Sequence, residues 1–168
     1  MNDIIIKSWQ RYFEDRNNIL QNILNKLGYE TYTEDVVFSN NNISIPSKGI
    51  VIKLYDRYMD VHIPPHRPLF IIQSDVMNLD KCVDLSWYLA LINYCNNNYQ
   101  LVKMTLSQSG GGYIVSLVSE SIDYNFLSRD DEETELLVST YLSAFFDLRD
   151  KFVNLCEEYK GRSINQLL

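Results

Sequence analysis

The apolar positions change rhythm several times along this chain, and each rhythm predicts an element. From Ser8 to Leu27, the residues Trp9, Tyr12, Phe13, Ile19, Leu20, Ile23, Leu24 and Leu27 share one stripe at about 100° per residue. The spacing predicts an amphipathic helix, with Ser8 as its N-cap and Gly28 as its stop. Arg16 is the one charge inside that stripe, and its stem is expected to lie on apolar surface with the guanidinium in water.

From Tyr29 to Gln73 the texture turns to runs rich in β-branched and aromatic residues: YETYT, VVFS, NISI, IVIKLYD, YMDVHIP and PLFIIQ. Met59, Val61 and Ile63 alternate with Asp60 and His62, the pattern of a strand with one wet face. Asn40-Asn41-Asn42 and Ser47-Lys48-Gly49 read as turns, and the IPPHRP segment reads as a break in the sheet.

The most apolar helix follows, in VDLSWYLALINYCN from Val83 to Asn96. Val83, Trp87, Ala90, Leu91 and Tyr94 form one face, while Leu85, Tyr88, Leu89, Ile92 and Cys95 cover most of the other side. A helix apolar nearly all round is buried on two sides, so its second face must meet more of the same chain or another chain. Asn96-Asn97-Asn98 ends the pattern, and YQLVKMTL and GYIVSLV then form a hairpin about the SQSGGG turn.

The last helix is expected from Ser128 or Asp130 to about Tyr159, with Gly161 as its stop and a frayed tail beyond. Leu137, Tyr141, Phe145, Leu148, Phe152, Leu155 and Tyr159 make its main core stripe. Leu142, Phe146 and Val153 lie on an adjoining shoulder, which reads as a widened buried face or an exposed docking patch. Asp130, Asp131, Glu132, Glu133 and Glu135 crowd the first turns, where the helix dipole favours anions, so the acidic run needs no metal to account for it.

Bulk composition narrows the classes. At 168 residues the chain matches the size of one domain, and no linker, repeat or boundary divides residues 1–168. A net charge of -7 argues against nucleic-acid binding and fits a basic protein partner. The three cysteines Cys82, Cys95 and Cys156 have no CxxC spacing and read as reduced cytoplasmic thiols. The first residues do not make a signal peptide, and no run approaches the roughly 20 apolar residues of a membrane span.

Catalytic and metal signals are sparse. His62 and His66 are the only histidines, and they do not share a helical face with other ligands, so no metal site is expected. Gly110-Gly111-Gly112 lacks the Lys-Ser/Thr of a phosphate-binding loop and leads into a strand, so it reads as a hairpin turn and not a cofactor site. Cys95 and Cys156 fall on apolar faces without the electropositive surroundings of a reactive thiol, and Cys82 beside Lys81 is a weak candidate. No catalytic residue is assigned.

The element order is helix, several antiparallel strands, helix, hairpin, long helix. That order, with LALINYCNNNYQLVKMTLSQSGGGYIVSLV at its centre, resembles the YbjN family. The likeness lies in Leu89, Ala90, Leu91, Asn93 and Asn96, followed by a strand, a polar turn and an apolar strand. Members of that family are described as bacterial sensory-transduction regulators with a type III secretion chaperone-like fold. The resemblance implies an α+β domain, a twisted antiparallel sheet with helices packed on it, often paired as a dimer, and it carries no catalytic residue. The expected function is a non-enzymatic, chaperone-like or regulatory protein-binding module that pairs with itself and with another protein. Its candidate interface is Leu85, Tyr88, Leu89, Ile92, Leu142, Phe146 and Val153. The alternative is an acidic immunity- or antitoxin-like protein that neutralises a basic partner.

Overall fold

The computed structural model describes residues 3–40, 43–54, 57–62, 69–122 and 132–162. Its elements run α1 (Asp3–Lys26), β1 (Glu30–Asn40), β2 (Ile43–Leu54), β3 (Arg57–His62), β4 (Leu69–Asp80), α2 (Leu85–Asn98), β5 (Lys103–Ser109), β6 (Gly112–Ile122) and α3 (Glu132–Glu158). The strands form one antiparallel sheet in the order β1-β2-β3-β4-β6-β5, so the fold is α+β as expected. Residues 41 and 42 of the asparagine turn, the proline segment 63–68, Asp130 and Asp131 of the acidic run, and the tail 163–168 lie outside the described residues.

Two compact units are distinguished, each discontinuous in sequence. The first comprises Met1–Ile72 with Glu120–Ser139, and the second Gln73–Ser119 with Thr140–Leu168.

In the first unit, α1 begins at Asp3, ahead of the expected Ser8 cap, so Ser8 lies inside the helix. Helix propensity is a weak prior, and the isoleucine run before Ser8 does not prevent helix. Gly28 does stop it. The glycine sits at φ 87°, its N–H donates to Asn25 O at 3.0 Å, and Tyr29 N–H donates to Leu24 O at 3.0 Å. That pair of bonds is the Schellman arrangement, which satisfies carbonyls that the helix end would otherwise orphan. Leu20, Ile23 and Leu24 are fully buried, on the stripe that the periodicity assigns.

The strand region is simpler than its sequence texture. YETYT and VVFS join into the single strand β1, and NISI and IVIKLYD contribute to the single strand β2. Ser47, Lys48 and Gly49 are not a turn: they pair with Val36, Asp35 and Glu34 in mid-ladder. Gly49 lies close under the side chain of Val36. A Cβ at that position would meet Val36 Cγ1 at 3.2 Å, and a strand glycine often marks such close approach. Asn17 of α1 donates from Nδ2 to Lys48 O at 2.6 Å, fastening the helix to β2 at this point.

In the second unit, β4 runs on past the expected end at Gln73 to Asp80. Ser74 is buried beside Ile72 and Val76, so the inward positions alternate, but a serine among them hides the pattern from a hydrophobicity reading. The β5–β6 hairpin closes as expected, with Ser109 opposite Gly112 and a two-residue Gly110-Gly111 turn. Gly110 has positive φ, at 54°, a conformation that glycine adopts without steric cost. Gly112 is required for a different reason, since a Cβ there would lie 2.1 Å from the backbone oxygen of Leu79.

Candidate functional site

Helix α2 starts two residues later than its hydrophobic run, because Asp84 acts as the N-cap. Its carboxylate accepts from Ser86 N at 3.0 Å and from Ser86 Oγ at 2.5 Å. The Ser86 hydroxyl, with help from the backbone N–H groups of Trp87 and Ser86, holds the Asp84 carboxyl below its usual range. The cap therefore occupies the anion-attracting end of the helix with a carboxylate of the chain itself.

Leu91, Ile92 and Cys95 are buried, Leu85, Trp87, Tyr88, Ala90 and Tyr94 are half-buried, and Ser86, Leu89, Asn93 and Asn97 form the exposed strip. Burial of α2 is thus one-sided, unlike the two-sided expectation, and Leu89 at 44% exposure is the apolar member of the wet strip. The reason is the partial cover of its first turns, where aromatic and aliphatic side chains remain half in solvent.

The expected interface residues divide accordingly. Ile92 and Leu142 are 4% and 1% exposed, so both are taken up by the core of the chain and cannot present a docking surface. Leu85, Tyr88, Phe146 and Val153 are half-buried, and Leu89 is exposed. On α3 the fully buried line is Val138, Leu142, Phe145, Leu148 and Phe152, which puts Leu142 in the core stripe and not on its shoulder. Leu137, Tyr141 and Tyr159, assigned to that stripe by periodicity, are only half-buried. The Phe145 and Phe146 rings meet edge to face, with centroids 6.2 Å apart.

A cleft of about 480 Å³ opens in the second unit between the start of α2 and the end of α3. Met77, Trp87, Tyr88 and Cys156 supply its apolar surface, and Asp84, Glu157, Lys160 and Arg162 its charges. Trp87 and Tyr88 stand edge to face with centroids 4.8 Å apart, and among the described residues the buried Trp87 indole N–H has no hydrogen-bond partner. The turn at Gly161, with φ 76° and the Arg162 N–H donating to Tyr159 O at 2.9 Å, brings Arg162 to this cleft.

The cleft offers binding contacts more readily than a nucleophile. Burial, the neighbouring Cys95 thiol and Glu157 push the Cys156 thiol up to about 12, and burial pushes Cys95 up to about 11. Both are therefore held as neutral thiols near pH 7. Tyr88 is also raised, chiefly by burial and secondarily by Cys156. Cys82 is exposed, and all three cysteines are free. His62 lies in β3 and His66 outside the described residues. Among the described residues no three His, Cys, Asp or Glu side chains converge as a metal-holding group.

Periodicity does not pick out this cleft. Met77 and Arg162 are 85 residues apart in sequence, the difference between their two numbers, and only the packing of distant elements joins them. The one local signal was Asp84, whose place before an apolar run with Ser86 two residues on marks an N-cap.

No family model matches the chain. It is similar to Variediene synthase of Emericella variicolor, 32% identical over 132 residues, which are 77% of this chain. The chain spans only 17% of the length of that relative. No described helix is long and apolar enough to cross a membrane.

Proposed function

We propose that the chain is a non-enzymatic protein-binding module, chaperone-like or regulatory, that acts as a homodimer. The observation supporting this reading is the apolar surface left on α2, where Leu89 is 44% exposed and Leu85 and Tyr88 are half-covered. Exposed apolar surface of this kind gains free energy when a partner removes it from water. The YbjN-like element order agrees with the reading, and the three free thiols fit a reducing, cytoplasmic compartment. The likeness to Variediene synthase lends no activity to it, because so little of that protein is spanned.

Light scattering on a sizing column across a range of concentrations tests the proposal. A mass near twice 19.7 kDa is expected, and Leu89→Glu should return the monomer with its circular dichroism unchanged. A monomer at every concentration overturns self-association.

A second reading, an acidic neutraliser of a basic partner, is favoured by the net charge of -7 and by Glu30, Glu34 and Asp35 on β1. Binding to such a partner should weaken as salt rises, and a salt-independent complex overturns this reading.

A further inference from the structure

We infer that the cleft between the start of α2 and the end of α3 binds a small zwitterion with an apolar body: an α-amino acid bearing an aromatic or large aliphatic side chain. Such a site stands apart from the protein-binding reading above, and neither depends on the other.

The cleft has the size and the lining that this ligand needs. Its volume of about 480 Å³ lies in the range of small-molecule sites, and every residue that lines it is among the described ones. Three elements supply its apolar surface, with Met77 from β4, Trp87 and Tyr88 from α2 and Cys156 from α3. Trp87 and Tyr88 are half-buried, so ring area remains to receive a bound side chain. A further ring packs on such aromatics edge-on or offset, which favours an aromatic occupant. The Cys156 thiol is buried and neutral near pH 7, so it acts there as a small hydrophobe.

Charge selects the class of ligand. Two carboxylates, Asp84 and Glu157, and two cations, Lys160 and Arg162, line the same cleft. A ligand cation alone would meet Lys160 and Arg162 as like charges, and a ligand anion alone would meet Asp84 and Glu157 so. A zwitterion gives both pairs an opposite partner. Ser86 holds the Asp84 carboxylate in place from its N–H and its hydroxyl, and keeps it ionised. The N-terminus of α2 is thereby capped already, so the carboxylate of the ligand goes to Arg162, whose planar fork suits it, with Lys160 as the second cation. The ammonium goes to Asp84 and Glu157.

Trp87 adds a separate sign. Buried donors in folded proteins are nearly always paired, yet among the described residues its indole N–H has no partner. That donor in the cleft wall is a place for an acceptor from outside the chain. The N–H is shielded, so it meets a ligand oxygen only when the ring turns, and the turn changes the surroundings of the fluorophore.

Titration calorimetry of the full chain with L-phenylalanine is the test, at about pH 6 where α-amino groups are protonated. Saturable binding to one site is expected, with a tryptophan fluorescence change that vanishes in Trp87→Phe. N-acetyl-L-phenylalanine lacks the ammonium and L-phenylalaninamide the carboxylate, and each should bind at least about tenfold more weakly. Glycine keeps both charges without the apolar body and should not saturate the site below about 10 mM. Arg162→Gln and Glu157→Gln, both at exposed positions and checked by circular dichroism, should each weaken L-phenylalanine about threefold or more. No saturable binding, equal binding of either blocked analogue, or an affinity that neither variant moves overturns the inference. A fluorescence change that survives Trp87→Phe also overturns it, because the ligand would then sit elsewhere.

Discussion

The carboxamide of Asn96 meets Met104 as a neighbouring strand would, giving one hydrogen bond to its carbonyl at 3.0 Å and taking one from its amide at 2.7 Å. One side chain from the last turn of α2 thus ties the helix to β5. Lys103 reinforces the join by donating from Nζ to the carbonyls of Asn96 and Tyr99, each at 2.7 Å, at the end of α2 where cations are favoured.

Asn96→Ala should therefore destabilise the fold by about 1–3 kcal/mol, since it leaves two buried-edge groups of Met104 without their partner. Asn96→Asp keeps the acceptor and loses the donor, and should fall between. Urea midpoints at constant m report both.

Glycines near the hairpin should differ sharply in tolerance. Gly112→Ala drives a Cβ into the Leu79 backbone oxygen at 2.1 Å and should cost about 3 kcal/mol or more, because backbone cannot move aside cheaply. Gly111→Ala meets nothing within 4 Å and should stay within about 0.5 kcal/mol. Thermal melts of the two variants side by side check the contrast.

Leu142 and Leu89 make a second contrasting pair. Leu142→Ala empties a core position that is 1% exposed and should cost about 2–5 kcal/mol. Leu89→Ala, at 44% exposure, should change monomer stability by less than about 1 kcal/mol. Equilibrium unfolding at a concentration where the mass is that of a monomer separates the two.

The buried thiols predict an alkaline limit. Cys156 and Cys95 ionise at about 12 and about 11 in the fold, against 9.0 as the ordinary value, so above pH 9 the unfolded chain loses these protons first. Their stabilising contribution is complete below that pH and declines from about pH 9 towards 12. Denaturant midpoints should fall over that window, less so in Cys156→Ala. With a thiol reagent at neutral pH, exposed Cys82 should react first, and the other two only as the fold opens.

Local signals account for what the sequence by itself determined. Helices and strands could be told apart, Gly28 and Gly161 stop their helices, and the glycine turn closes the β5–β6 hairpin. Each depends on a few adjacent residues whose φ, hydrogen-bond needs or periodicity are set locally. Tertiary structure decided the rest. Ser47-Lys48-Gly49 has the composition of a turn, yet the ladder to β1 holds it extended. Leu142 joins the core because neighbouring elements set the orientation of α3, which periodicity leaves free by a turn's fraction. That β1 and β5 end the sheet is a relation between residues far apart in sequence. The cleft beside Trp87 is of the same kind, since Met77 and Arg162 meet there only when the chain is folded.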